Sequence, residues 1–120
     1  MIEFKNVSMT YDNKKYVLKD VDLTINDGEF VFIVGPSGSG KTTLTKLLLR
    51  EEKVTSGRII INGFRLDKMR NGKVPYLRRK MGVVFQDFRL FPKKTVYENV
   101  AFAMQVIGAS GSTIKTRVPF

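Results

Sequence analysis

One short stretch of the chain is more informative than any other: Gly35-Pro36-Ser37-Gly38-Ser39-Gly40-Lys41-Thr42. It fits the pattern G-x-x-x-x-G-K-[ST], whose glycines permit backbone angles that a Cβ would forbid and let the backbone approach a ligand closely. Successive N–H groups then form a nest for an anion, and a helix beginning near Lys41 adds the positive end of its dipole. The stretch therefore predicts a phosphate-binding loop.

Two side chains at the end of the loop have separate expected tasks. Lys41 supplies a mobile positive charge for the β- and γ-phosphates of a nucleotide. Thr42 offers its hydroxyl to Mg²⁺, which would also take phosphate oxygens as ligands. The predicted nucleotide-binding residues of the loop and the following turn are Gly35, Pro36, Ser37, Gly38, Ser39, Gly40, Lys41, Thr42 and Thr43.

The sequence on either side of the loop separates a real motif from a chance match. Residues 30–34 are apolar on both faces, which is typical of a buried parallel strand. Residues 42–52 place Leu44, Leu47 and Leu48 at helical spacing. Strand, glycine-rich loop and helix in this order are the context that supports the phosphate-binding interpretation.

The rest of the chain predicts further short elements. Residues 2–11 indicate a half-buried strand with a phase slip near Asn6, and residues 21–25 alternate with a period of two, so an antiparallel sheet is expected at the N-terminus. Further strands are predicted at residues 58–62 and 81–85, with a short basic helix near residues 76–80. The predicted capping box of Thr95 opens a helix that Gly108 ends. No element is predicted for residues 109–120.

Composition narrows the possible functions. The 120 residues contain no cysteine and no histidine, which excludes disulfides and thiolate metal sites and removes the commonest general base. No apolar run approaches the roughly 18 residues that span a bilayer, and no secretory signal is recognisable. These features favour a cytosolic protein.

The net charge of +10 is high for a chain of this length. It would suit nucleic acid, anionic lipid or a polyphosphate ligand. It would also suit an ordinary solvated face. We favour a further interpretation, in which the chain is part of a larger domain whose acidic residues lie elsewhere. Helix-turn-helix, zinc-module and aromatic-interleaved RNA motifs are absent from the sequence, so no nucleic-acid partner is expected.

Four features in order resemble the ATP-binding subunits of ABC transporters over residues 1–118. They are the aromatic Tyr11 after residues 8–10, the stretch 18–23 leading to Gly28-Glu29, the phosphate-binding loop, and Gly82-Val83-Val84-Phe85-Gln86-Asp87. Residues 77–100 are most similar to the members that serve cell division in Gram-positive bacteria. Importer and lipoprotein-exporter ATPases share much of this pattern.

The resemblance implies further roles. Tyr11 would stack on adenine, although a buried strand aromatic is the alternative, and Val17 would pack beside the nucleotide. Gln86 would reach Mg²⁺ and the attacking water, although it could simply be a polar residue ending a strand. Lys41 and Gln86 would then be the catalytic residues, and Thr42 and Gln86 the metal-contacting ones. Residues 88–90 would dock an integral membrane subunit.

The resemblance also implies an assembly and a fold. We expect ATP and Mg²⁺ as cofactors, a homodimer in the full-length family, and a peripheral location on the cytoplasmic face of the plasma membrane. The expected fold is α/β: a P-loop NTPase core with an N-terminal antiparallel β subdomain. The sequence contains no LSGGQ-like signature, no apolar strand ending in Asp-Glu and no switch histidine.

We therefore expect residues 1–120 to form a partial nucleotide-binding domain, truncated before the helical subdomain and the Walker B strand. Such a chain should not hydrolyse ATP alone. It should also present an unpaired strand edge and an apolar patch, both of which favour aggregation.

Overall fold

The computed structural model describes residues 1–119 and divides into two compact units. The first contains residues 1–82 and the second begins at residue 83. No helix among the described residues has the length and apolar character needed to cross a bilayer.

An antiparallel sheet of four strands forms the frame of the first unit. The strands are β1 (Ile2–Thr10), β2 (Tyr16–Ile25), β3 (Ser56–Ile61) and β4 (Phe64–Arg65), in the order β2-β1-β3-β4. All three neighbouring pairs are antiparallel. The prediction of an N-terminal antiparallel sheet is confirmed.

The phase slip predicted near Asn6 is a real irregularity of β1. Asn6 has φ 50°, the pairing of β1 with β2 shifts between Phe4 and Val7, and the Asn6 amide donates to Asp22 Oδ1 at 2.9 Å. Gly57 faces this point, and a Cβ there would lie 2.3 Å from the Asn6 carbonyl oxygen. The strand can bend here only because its neighbour has no side chain.

The core of the first unit lies between the sheet and two helices. Helix α1 (Lys41–Leu48) contributes Leu47, and helix α2 (Val74–Arg78), which follows a 3₁₀ turn, contributes Leu77. Fully burying a leucine side chain contributes about 1.5–3 kcal/mol. The buried core consists of Phe4, Val7, Met9, Leu18, Leu47, Ile59, Ile61, Leu66 and Leu77.

Arginine side chains hold the C-terminal end of α1. Arg50 donates from Nε to the Leu66 carbonyl at 2.8 Å and also to the Met69 carbonyl. Arg78 donates to the Leu49 carbonyl at 2.8 Å. The Arg78 bond satisfies a carbonyl that the end of α1 leaves without an intrahelical partner, and the Arg50 bonds fix the chain that follows β4 against that end of the helix.

Two segments predicted as strands are not strands, and those predictions are wrong. Residues 30–34 and 81–85 belong to no sheet among the described residues. Phe30, Phe32 and Val34 are 84%, 79% and 86% exposed. An apolar pattern shows that a segment is suited to burial. A strand also needs a hydrogen-bonded neighbouring strand, and neither segment has one within the described chain. The expected apolar patch is present.

The second unit begins with a turn and continues into helix α3 (Val96–Val106). The predicted capping box is confirmed: the Glu98 amide donates to Thr95 Oγ1 at 3.1 Å, and the Thr95 amide donates to Glu98 Oε2 at 2.8 Å. The bond from the Thr95 amide lowers the pKa of Glu98. Gly108, at φ 83°, follows the helix end as predicted.

The prediction that residues 109–120 form no element is wrong for the described part. Helix α4 (Gly111–Arg117) begins after Ser110, whose hydroxyl accepts the Thr113 amide at 3.3 Å. The cap stabilises the first turn, and Ile114 is buried. Phe120 lies outside the described residues.

Candidate nucleotide-binding site

The loop ahead of α1 has the backbone that the motif requires. Gly38 and Gly40 have φ of 81° and 95°, in the left-handed region that favours glycine. Gly40 is also buried, and a Cβ at this position would meet Leu18 Cδ2 at 2.8 Å and the Val17 carbonyl oxygen at 3.1 Å. The last glycine of the loop is therefore fixed by close packing against β2 as well as by its dihedral angle.

The Lys41 side chain folds back over the loop. Its ammonium donates to the Gly35 carbonyl, to the Pro36 carbonyl at 2.7 Å and to Ser39 Oγ at 3.3 Å. The Ser39 amide donates to the Pro36 carbonyl at 3.1 Å and closes the turn beneath it. One positive charge is thus held at the mouth of the glycine-rich turn.

The N-terminus of α1 is open to an anion. Its cap residue is Gly40, which offers no side-chain cap, and its first turn contains no acidic residue. The first N–H groups of a helix have no intrahelical acceptors and point outward together with the positive end of the dipole. Thr42 is exposed, whereas Thr43 is buried.

Tyr11 directly follows β1 and reaches the first turn of α1. Its hydroxyl lies 3.4 Å from Thr43 Oγ1, a contact in which either oxygen can donate. The side chain is 55% exposed, which contradicts the alternative interpretation as a buried strand aromatic. Val17, the second residue of β2, is half-buried and turns its carbonyl towards Gly40.

The first unit therefore brings Tyr11, Val17 and the loop to one place. The sequence interpretation missed Leu18, whose side chain packs against Gly40. Leu18 is 7% exposed, and it lies outside the alternating residues 21–25 and out of phase with them, so that pattern gave no signal for it.

Gln86 lies in the second unit, in the turn that begins that unit, and is exposed. The turn is closed by a bond from the Phe88 amide to the Phe85 carbonyl at 3.1 Å, and the Arg89 guanidinium lies 4.0 Å from the centroid of the Phe85 ring. Phe88 and Arg89 have φ of 60° and 47°. A backbone hydrogen bond and a cation–π contact thus accompany an unusual backbone beside Gln86.

Groups of three or more His, Cys, Asp or Glu side chains that could hold a metal ion are not found among residues 1–119. Mg²⁺ retains much of its hydration and binds proteins through few ligands together with substrate phosphates. The exposed Thr42 hydroxyl beside the open helix N-terminus fits that mode of binding.

Comparison with known proteins agrees with this geometry. A family model described as ABC transporter matches residues 18–118. The chain belongs to this family. The ABC family assignment made from the sequence is confirmed.

Several curated relatives are cell-division proteins. The chain is 53% identical over 118 residues to the cell division ATP-binding protein FtsE of Bacillus subtilis, covering 98% of this chain and 52% of the relative. The FtsE proteins of Streptococcus pneumoniae and Escherichia coli K12 are 50% and 41% identical, with 51% and 53% of the relative covered. The chain spans about half the length of the curated relatives it matches.

Two solved ABC cassettes have the same fold. A dimeric ATP-binding cassette in a post-hydrolysis state, bound to ADP and Pi, gives a TM-score of 0.86 at 37% identity, covering 98% of this chain and 54% of the cassette. A dimeric bacterial ABC transporter cassette gives a TM-score of 0.86 at 38% identity, and the match covers 98% of this chain and 53% of that cassette. The predicted α/β P-loop core with an N-terminal antiparallel β subdomain is thereby confirmed.

Proposed function

We propose that this ABC family chain is the ATP-binding part of an FtsE-type ATPase that acts in bacterial cell division. The observation that carries its nucleotide-binding part is the Lys41 ammonium held over the glycine-rich turn, directly beside an α1 N-terminus free of acidic residues. The cell-division part is supported by the 53%, 50% and 41% identity to FtsE proteins. Nucleotide triphosphates are the anions for which such a loop is built.

Different residues of the first unit bind different parts of the nucleotide. The loop amides and the first turn of α1 receive the phosphates, Lys41 neutralises the β- and γ-phosphates, and Thr42 contributes a hydroxyl to Mg²⁺. When bound, Mg²⁺ neutralises phosphate charge and orients the oxygens. The exposed ring of Tyr11 stacks on adenine, because it stands beside the start of α1 without being buried. Val17 packs beside the nucleotide.

The second unit carries the proposed link to a membrane partner. Gln86 contacts Mg²⁺ and the attacking water in the intact ATPase. Phe88 and Leu90, which are 72% and 65% exposed, dock an integral membrane subunit similar to FtsX. In this proposal the intact protein is a homodimer held at the cytoplasmic face of the plasma membrane. Nucleotide binding would then be transmitted through the turn around Gln86.

Retention of labelled ATP with Mg²⁺ tests the proposal. The chain should retain the nucleotide and Lys41→Ala should lose it, because the loop's own positive charge is removed. Lys46→Ala, at the other end of the same helix, is the matched control and should bind as the parent does. Equal retention by the parent and Lys41→Ala would refute the proposal.

A further inference from the structure

One strongly basic surface of the first unit takes no part in the proposed nucleotide site. Residues 68–80 contain six basic residues and no acidic one. All six are exposed, and we refer to them as the basic surface: Lys68, Arg70, Lys73, Arg78, Arg79 and Lys80.

The basic surface is held in place by the core beneath it. Val74 and Leu77 of α2 are 7% and 0% exposed, so one face of this short helix is buried against the sheet unit. Arg78 lies on this helix, Lys73 and Arg79 are its two cap residues, and the Arg78 guanidinium is fixed by its bond to the Leu49 carbonyl. The charges on and beside α2 therefore belong to a fixed part of the first unit.

Tyr76 stands among these charges and is 55% exposed. The Lys73 ammonium and the Arg79 guanidinium lie 5.7 Å and 5.2 Å from its ring centroid, within the range of cation–π contact. An exposed tyrosine has an apolar body and a polar tip, a combination that suits the boundary between lipid headgroups and water.

The protein itself does little to neutralise this surface. The neighbouring carboxylate, Asp67, is engaged by Arg65 at 2.7 Å. Within residues 1–119, no ion pair joins a member of the basic surface to a carboxylate. Six like charges on one short segment repel one another, and an external anionic surface would relieve that repulsion.

We propose that the basic surface binds the headgroups of an anionic phospholipid bilayer directly. The inference rests on the proposed function in one respect, the location at a membrane, and adds a contact made by the ATP-binding chain itself. Nucleic acid fits less well, because sequence-tolerant binding to single strands uses aromatic rings on which bases stack. This surface has a single exposed ring, Tyr76, and so cannot stack successive bases.

Flotation with lipid vesicles tests the proposal, using the full chain without nucleotide or membrane subunit. The chain should float with vesicles of equal parts phosphatidylcholine and phosphatidylglycerol and not with phosphatidylcholine alone. The test variant carries Lys73→Gln, Arg79→Gln and Lys80→Gln. Neutralising three surface cations should weaken binding on the order of 100-fold, and added salt should weaken binding by the parent chain.

The control variant removes the same charge elsewhere in the first unit, at Lys5, Lys15 and Lys53, each changed to Gln. The control variant should float better than the test variant. Both variants should retain labelled Mg-ATP, so that a loss of lipid binding can be distinguished from a loss of the nucleotide site. Equal flotation of the two variants would overturn the proposal. Equal flotation of the parent chain with neutral and with anionic vesicles would also overturn it. Displacement of the chain from anionic vesicles by stoichiometric single-stranded DNA would do the same.

Discussion

The Tyr11 hydroxyl and the Thr43 hydroxyl lie 3.4 Å apart, although 32 residues separate them in the chain. The contact joins the end of β1 to the first turn of α1, directly beside the phosphate-binding loop. Thr43 is buried and therefore fixed. The tyrosine ring is consequently anchored at its hydroxyl end while much of its surface faces solvent.

Tyr11→Ala should weaken ATP binding by about 1–3 kcal/mol, the typical value of base stacking on an aromatic ring, and should barely change the affinity for inorganic triphosphate. Tyr11→Phe should retain most of the ATP affinity, because the ring remains. Calorimetry with both ligands measures the difference. Tyr16→Ala, at a similarly exposed tyrosine of β2, is the control. A parallel loss for both ligands would instead assign Tyr11 a role in folding.

Gly40→Ala should destabilise the first unit by about 1–3 kcal/mol or more, because a strained dihedral angle is combined with contacts to Leu18 and the Val17 carbonyl. Gly63→Ala is the matched control: its φ of 88° is equally unfavourable, but a Cβ there meets nothing within 4 Å. The free energy of unfolding measured in urea should therefore be lower for Gly40→Ala than for Gly63→Ala. The reverse order would show that packing against β2 is unimportant.

Asp67 should make stability depend on pH. The hydrogen bond from the Arg65 guanidinium lowers the pKa of Asp67 below its ordinary value. A carboxylate whose pKa is lower in the folded state than in the unfolded state stabilises the protein at pH values above the unfolded-state pKa of about 3.9. This contribution disappears as the pH falls through the folded-state pKa. Asp67→Asn should therefore cost up to about 1 kcal/mol near neutral pH and nothing in strong acid, since the pair is only partly buried.

Unfolding by urea at several pH values measures that difference. Arg65→Gln and the double variant complete a cycle that isolates the pair. If Asp67→Asn were equally destabilising at all pH values, the lost contribution would not be the charge of Asp67.

Phe88→Ala combined with Leu90→Ala should reduce co-purification with an FtsX-like membrane subunit while Mg-ATP binding is retained. Both residues are exposed, and an aromatic anchor at an interface is commonly worth about 2 kcal/mol, or roughly 30-fold in affinity. The experiment uses a full-length relative carrying the corresponding changes. Val84→Ala, at a valine that is 95% exposed, is the control. Unchanged yields would refute the docking surface.

The chain alone should release phosphate from ATP no faster than its Lys41→Ala variant. It has no histidine, and Glu98 is engaged by the Thr95 amide as a helix cap. The absence of a general base alone typically costs 10²–10⁴-fold. A phosphate assay on purified protein measures the rate. Steady turnover of about one per second, near the lower end of typical enzyme rates and lost in Lys41→Ala, would contradict this prediction.

Features specified by neighbouring residues could be predicted from the sequence. The loop glycines, with φ of 81° and 95° at Gly38 and Gly40, and the Thr95 capping box both depend on a few consecutive positions. Helix α4 also has a local signal that the prediction for residues 109–120 did not use: Ser110 lies three residues before Thr113 and caps the first turn.

Features that need a distant partner could not be predicted. Residues 30–34 have the composition of a buried strand, but composition does not show which segment will lie alongside. The same limit applied to the site: the phosphate-binding loop was evident, yet the contact of Leu18 with Gly40 depends on how β2 crosses the start of α1. Gln86 was suggested by family resemblance, since its local pattern indicates only a polar residue at the end of a predicted strand.

The backbone on the two sides of the phosphate-binding loop is held unequally, and within residues 1–119 only the Lys41 side chain ties its two ends together. On its C-terminal side, α1 is hydrogen-bonded and packed through Leu47. On its N-terminal side, residues 30–34 make no backbone hydrogen bond within the described chain. Their amide protons should exchange with deuterium almost as fast as those of a free peptide, whereas amides of β1, paired on both sides, should be protected. Gly35 can therefore shift to meet a ligand, while Gly40 and Lys41 stay where the helix puts them.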